Sequence, residues 1–216
     1  MEKAVKGNSY HNSFTKTVFD LSCSVLGLII SSPLILLIVI LQKNFNHGPI
    51  LFKQIRVGKN GKPFQMIKFR TMKVGAEKLQ RSLSNLNEAD GPVFKILNDP
   101  RFTKFGKILA KTGLDELPQL INVLKSEMSI VGPRPLPVYE AEKLTKEQKV
   151  RELVLPGITS AWVVNGSHRL SFAKWISLDK DYVQNASFAA DLGILGKTVI
   201  IMVKQTVRQT LNLLLK

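Results

Sequence analysis

The sequence has a single cysteine, Cys23, and that one lies in an apolar run. A lone thiol supports neither an intramolecular disulfide framework nor a cysteine metal cluster, which suits a reducing, cytoplasmic setting. Acidic residues are also scarce. Sixteen Asp and Glu stand against 31 Lys and Arg, giving a formal charge of +15 and a pI near 10.0. Such an excess implies an acidic partner: nucleic acid, an anionic lipid surface or phosphorylated substrates. Aromatics amount to only 7% and no recognised nucleic-acid module appears, so the first of these has charge but no motif behind it. There is no internal repeat or low-complexity tract. The 216 residues can bury one core, or a core plus a membrane element.

What is present begins with an uncharged run. After a polar stretch over residues 1–13, expected as a mobile tail, Leu21 to Leu41 gives 21 residues without a charge. That is long enough to cross a bilayer, and it ends in Gln42-Lys43-Asn44 rather than in a small-residue cleavage site. Ser31-Ser32-Pro33 sits near its middle. Proline removes a helix hydrogen bond and clashes with the preceding turn, so a break or kink is expected, with serine hydroxyls available to the freed carbonyls. Lysines and arginines flank both ends of the run, and the positive-inside rule keeps both flanks on the cytoplasmic side. Pro33 could simply kink a spanning helix, but a helix-break-helix that dips into one leaflet is the favoured expectation.

Two strand-like runs follow, around Lys59-Asn60-Gly61, a hairpin signal. A three-residue loop with Gly61 left-handed would put Gln54, Arg56, Lys68 and Arg70 on one face; a two-residue turn would separate them. The first arrangement suits a diphosphate, although a solvated face reads the same. Residues 75–86 read as a short polar helix and residues 87–100 as a loop. Phe102 to Lys111 is a basic helix whose lysines, Lys111 among them, face phosphate, headgroups or water. Residues 139–153 are charged and helical, and Pro156 to Thr159 makes a turn. From Leu192 apolar residues alternate with Lys197, Lys204 and Arg208, as in a basic amphipathic helix lying in a membrane interface or packed on the domain.

The densest chemistry lies in residues 112–135, TGLDELPQLINVLKSEMSIVGPRP. Leu117, Leu120, Ile121 and Leu124 recur at helical spacing, and Pro118 fits only a first turn, so a short amphipathic helix starts just after Asp115 and Glu116. Asp115 is then either a helix cap or, with Glu116 beside it, one of two carboxylates that share a divalent cation while one oxygen stays nucleophilic. Arg134, between two prolines, is either part of a chain reversal or a fork of donors aimed at a phosphate.

This stretch resembles the signature of the bacterial sugar transferases, monotopic phosphoglycosyl transferases. SPLILL, GPILFKQIRVGKNGKPFQMIKFRTM, GPVFKILNDPRFTKFGKIL, VLPGIT and LDKDYVQNASFAADL resemble further blocks of that family in the same order, covering residues 14–205. The resemblance implies transfer of a sugar 1-phosphate from a UDP-sugar to polyprenyl (undecaprenyl) phosphate with release of UMP. Asp115 would attack and form a phosphosugar-aspartyl intermediate, and Glu116, with Asp115, would hold Mg²⁺. Lys68, Arg70, Arg134, Gln54, Arg56 and Lys111 would bind phosphate or nucleotide. It further implies a re-entrant membrane helix broken at Ser32 and Pro33, in a bacterial plasma-membrane protein, monotopic in one leaflet, with its catalytic domain in the cytoplasm and no nucleic-acid partner; homo-oligomers are compatible with it. Ser160, Val163 and Ser167 stand where the family usually has glycine, glutamine and arginine, and Ala110 replaces a frequent basic residue, which bears on sugar and nucleotide preference.

The expected fold is α+β and mostly helical: a polar tail (1–13), a re-entrant membrane helix (14–42), a compact catalytic domain with a β-hairpin (43–190) and a C-terminal basic amphipathic helix (191–216). Charge alone would also allow a membrane-associated nucleic-acid-binding protein, and the departures a non-catalytic scaffold.

Overall fold

The computed structural model describes residues 7–45 and 48–214. Helix α1 (Phe14–Phe45) is followed by the antiparallel strands β1 (Leu51–Val57) and β2 (Pro63–Phe69), then α2 (Lys104–Thr112), α3 (Gln119–Leu124), β3 (Ser129–Val131), α4 (Val138–Ala141), β4 (Gly157–Thr159), α5 (Ala161–Val164), α6 (Phe172–Asn185) and α7 (Phe188–Leu214). The fold is mostly helical and carries a β-hairpin, as expected, together with a second small sheet, β3 with β4, that was not.

Among the described residues α1 alone is long and apolar enough to cross a membrane. It departs from the expectation in one respect: it is helical straight through Pro33 rather than divided there. The reason is local. Pro33 leaves the carbonyl of Ile29 without its usual donor, and the Ser32 hydroxyl donates to that oxygen at 2.8 Å, while Ser31 does the same for Gly27 at 2.6 Å. Both halves of α1 nevertheless return to one domain. Phe19, Cys23 and Leu28 pack with Leu120, Val123 and Ile130, and Ile35, Ile38 and Val39 pack with Phe69 and Leu109. Leu117 touches both groups. Between them Ile29 and Ile30 are 63% and 77% exposed.

A buried polar network fixes the first half. Lys16 Nζ donates to Asp191 Oδ2 (2.6 Å), Asp20 Oδ1 (3.2 Å) and the Val131 carbonyl (3.2 Å). Tyr10 and Tyr182 donate to the two Asp191 oxygens, and Asp20 accepts from Ser129 Oγ and the Ile130 N–H. One ammonium faces two carboxylates, and each carboxylate also accepts hydrogen bonds from hydroxyl or backbone donors, which is what makes such burial tolerable. The network joins α1, β3, α6 and α7. It also involves the expected tail: residues 1–6 lie outside the described residues, but Ser9–Asn12 is a 3₁₀ turn tied to Val183 and Ala186 rather than hanging free.

The hairpin has the three-residue loop Lys59–Gly61, closed by the Gly58 N–H on the Lys62 carbonyl, with Gly61 left-handed at φ 74°. Arg56 pairs with Phe64, Gln54 with Met66 and Phe52 with Lys68, so Gln54, Arg56 and Lys68 share one face. The outer edge of β2 is closed by Asn122, whose Oδ1 accepts from Ile67 N–H and whose Nδ2 donates to Gln65 O. That clamp rotates α3 from its expected orientation. Asn122 and Val123 are buried with Leu120, while Ile121 and Leu124 are 39% and 38% exposed.

Other expectations change as well. Residues 75–86 form turns ending in a short 3₁₀ helix (Ser84–Leu86), and residues 139–153 split into α4 and the 3₁₀ helix Gln148–Leu153. Pro156 to Thr159 enters a parallel pairing, Ser129 with Gly157 and Val131 with Thr159. There Gly132 and Gly157 approach so closely that a Cβ on either would overlap the other's backbone. Gly157→Ala should therefore lower stability by about 1–3 kcal/mol through forced displacement. Gly193→Ala, in α7 with open space around its Cβ position, should raise it by about 0.5–1 kcal/mol. Thermal unfolding of both variants in nanodiscs checks the contrast.

Candidate active site

Asp115 sits in a 3₁₀ turn (Leu114–Glu116) that enters α3, one turn too early to cap that helix; the cap position is Pro118, which makes no side-chain cap bond. The carboxylate is 6% exposed. Burial lifts its pKa to about 7; the nearby Lys68 ammonium opposes that rise, Glu116 adds to it and Arg134 opposes it. Lys68 reaches this position because β2 and α3 are clamped by Asn122. Burial pulls the Lys68 pKa down, against the attraction of Asp115.

Arg134 faces the same centre. Its guanidinium pairs with Glu116 Oε1 at 2.8 Å, and that carboxylate is the main reason its pKa rises. The turn carrying it is held from below by two more arginines. Arg56 Nη1 donates to Pro135 O at 3.0 Å, and Arg151 Nη2 donates to Arg134 O at 2.7 Å. Gly157 N–H donates to Pro133 O. Arg56 thus supports the turn more than it presents itself to a ligand, and burial followed by the neighbouring Arg134 lowers its pKa to about 10. Arg151 is neutralised by Asp179, 2.8 Å away and angled off a straight hydrogen bond, and lies over the Trp175 ring at 5.0 Å. A small cavity of ≈ 20 Å³ beneath the turn is wide enough for about one water and is no substrate site.

Of the expected site residues, the fold gathers Lys68, Asp115, Glu116, Arg134 and Arg56. Gln54 lies on the same face of β1 as Arg56. Arg70 turns away: its Nε donates to Pro49 O at 2.8 Å, and its guanidinium lies over Phe52 at 5.5 Å. Lys111 is exposed in the last turn of α2. The structure adds residues that spacing did not point to. Glu140 is buried and binds the Phe94 N–H. Lys95, on the long loop, is lowered to about 7 by burial and by Arg134. Both have partners that are distant in sequence.

Ser160, Val163 and Ser167, expected above to differ from the resembled pattern, use one another's polar groups. Ser160 Oγ accepts from Val163 N–H, and Ser167 Oγ donates to Val163 O. As for a cation, no group of three or more His, Cys, Asp and Glu converges among the described residues. The donor set is two adjacent carboxylates, one already paired with arginine. This fits Mg²⁺, a hard ion that keeps several waters and takes one or two carboxylates plus substrate phosphate.

A family model described as bacterial sugar transferase matches residues 11–205. The galactosyl transferase CpsE of Streptococcus agalactiae is 37% identical over 204 residues, covering 94% of this chain and 45% of that protein. The exopolysaccharide production protein ExoY of Sinorhizobium fredii is 39% identical over 189 residues, covering 86% of this chain and 84% of that protein. The undecaprenyl-phosphate galactose phosphotransferase of Salmonella typhimurium is 36% identical, covering 89% of this chain and 41% of that protein. This chain therefore spans less than half of CpsE and of the Salmonella protein, and most of ExoY.

Arg151→Met should leave Asp179 as an uncompensated buried charge and cost about 3–5 kcal/mol. Chemical denaturation of the variant measures this; a cost below about 1 kcal/mol would mean that Arg151 does not brace the turn.

Proposed function

Because the chain belongs to the bacterial sugar transferase family, we propose that it moves a sugar 1-phosphate from a UDP-sugar to polyprenyl phosphate at the cytoplasmic face of a bacterial membrane. The observation that carries this reading is Asp115: a buried carboxylate with Lys68 beside it and with Arg134 held in place by Glu116.

In the first step an Asp115 oxygen attacks the sugar-bearing phosphorus, and the bridging P–O bond to the nucleotide breaks. UMP leaves with that electron pair, and a phosphosugar-aspartyl intermediate remains. Lys68 and Arg134 are preorganised to stabilise charge on the oxygens of the transferring phosphoryl group. Asp115 and Glu116 would hold Mg²⁺, which when bound neutralises diphosphate charge. Arg56 and Arg151 keep Arg134 aimed without themselves reacting. In the second step an oxygen of the acceptor phosphate attacks the same phosphorus, and Asp115 departs as a carboxylate.

We read α1 as dipping into one leaflet, because residues of both its halves pack on the domain while the apolar side chains exposed along it, from Val18 to Ile40, remain for lipid. The active site then lies at headgroup depth, where a lipid phosphate resides. The apolar stripe Leu192, Val199, Val203 and Val207 on α7 is exposed and would rest in the same interface.

Asp115→Asn tests the nucleophile. UMP release from UDP-sugars should fall at least about a thousandfold, with the protein still folded; retained release would remove Asp115 from the chemistry. The pH dependence has a definite sign. Only ionised Asp115 attacks, and burial places its pKa at about 7. The acceptor-free UMP burst should therefore fall about tenfold per pH unit below 7, and added magnesium should move that limb to lower pH.

A further inference from the structure

We propose that the open groove formed by residues 49–53, where the chain enters β1, with Arg70 at its polar end, seats the lipid acceptor: its first prenyl units along Leu51 and Phe52, its phosphate on Arg70 and Lys68. The inference rests on the transfer reading above and assigns one of that reaction's two substrates to a place.

Four observations meet there. The groove is large, ≈ 630 Å³, and is lined by residues 49–53, Arg70 and Glu77. That volume is within the roughly 300–1,000 Å³ of ligand sites, enough for the reactive end of a long lipid while the rest stays in the bilayer. A nucleotide sugar suits it poorly, because its hydroxyls would find mostly apolar surface.

The groove also starts at the membrane element. Ile50 packs with Ile35 and Val39 of α1 against Ile38 and Phe69, and α1 keeps Leu36, Leu37 and Ile40 exposed nearby in sequence. A prenyl chain could thus pass from lipid to groove without crossing water. Its other end reaches the chemistry. The Phe52 ring carries Lys68 Nζ at 5.6 Å and the Arg70 guanidinium at 5.5 Å, and Lys68 is the cation that acts most strongly on Asp115.

Arg70 is built for this position. Its N–H donates to Ile50 O, its Nε to Pro49 O, and its own carbonyl accepts from the buried Gln42 of α1. No hydrogen bond of its Nη groups is found among the described residues, which leaves the end of the guanidinium fork for phosphate. Glu77 at the rim is exposed and forms no ion pair with Arg70 among the described residues. In the step served, a nonbridging oxygen of the bound lipid phosphate forms a bond to the sugar-bearing phosphorus, the Asp115 Oδ–P bond breaks, and its electron pair returns to the carboxylate.

The experiment uses the full chain in nanodiscs with UDP-sugar, Mg²⁺ and either undecaprenyl phosphate or the short geranyl phosphate. Arg70→Gln should raise the KM of both acceptors about tenfold or more, the loss of a charge-assisted hydrogen bond, while the acceptor-free UMP burst stays within about twofold. Leu51→Ser should raise the KM of the long acceptor several-fold more than that of the short one, through lost apolar contact. A burst that falls as far as turnover in Arg70→Gln would move Arg70 to the donor and overturn the proposal, as would unchanged acceptor KM values. If wild type gives no burst with any UDP-sugar, the transfer reading itself fails. The groove is then decided by binding: a diazirine-bearing polyprenyl phosphate should crosslink to residues 49–53 and be displaced by unlabelled polyprenyl phosphate. Crosslinking that only bulk phospholipid displaces would make the groove an ordinary lipid contact and refute the assignment.

Discussion

A carboxylate held out of water beside cations that cannot retreat is the constraint on which the rest of this structure depends. Asp115 is buried, which by itself would keep it protonated; Lys68 and Arg134 pull it back towards ionisation. The balance holds only while each cation stays in place. Asn122 locks α3 to the edge of β2 and so keeps Asp115 near Lys68. The two arginine donors beneath the Pro133-Arg134-Pro135 turn, and the close contact of Gly132 with Gly157, do the same for Arg134. Free energy spent on burying Arg151 and Asp179 thus appears as geometry one layer away.

The membrane element is attached by the same principle in a different place. Lys16, Asp20 and Asp191, with two tyrosine hydroxyls, make a buried set whose members lie on α1, α6 and α7 and reach β3. An amphipathic contact could slide; a set of charged groups with hydrogen bonds in fixed directions holds one register. The Ser32 hydroxyl meanwhile replaces the donor that Pro33 lacks, so the helix keeps its continuity between the two halves that pack on the domain.

Much of the site was legible because its chemistry is local. Asp115, Glu116 and Arg134 fall within one stretch of unusual composition, and the left-handed Gly61 dictated a loop length that placed Arg56 and Lys68 on one face. What escaped depended on distance. The three-residue strands β3 and β4 have no periodicity of their own and exist only as a pair. Arg151 and Asp179 lie far apart in the sequence, and nothing in their spacing shows that packing buries them as a pair. Arg70 shares the register of the basic face, but its side chain is drawn to Pro49 and Phe52, a local pull that strand alternation does not show. Pro33 signalled a break, but the adjacent hydroxyl made continuity cheap.

The most direct test of the account is to incubate the protein with a UDP-sugar and no acceptor, then map any adduct by mass spectrometry. Trypsin should release residues 112–125 as one peptide. The account predicts that this peptide gains the mass of a sugar phosphate at Asp115 and loses it again when polyprenyl phosphate is added. UMP release with no adduct on that peptide, or an adduct at another residue, would contradict it.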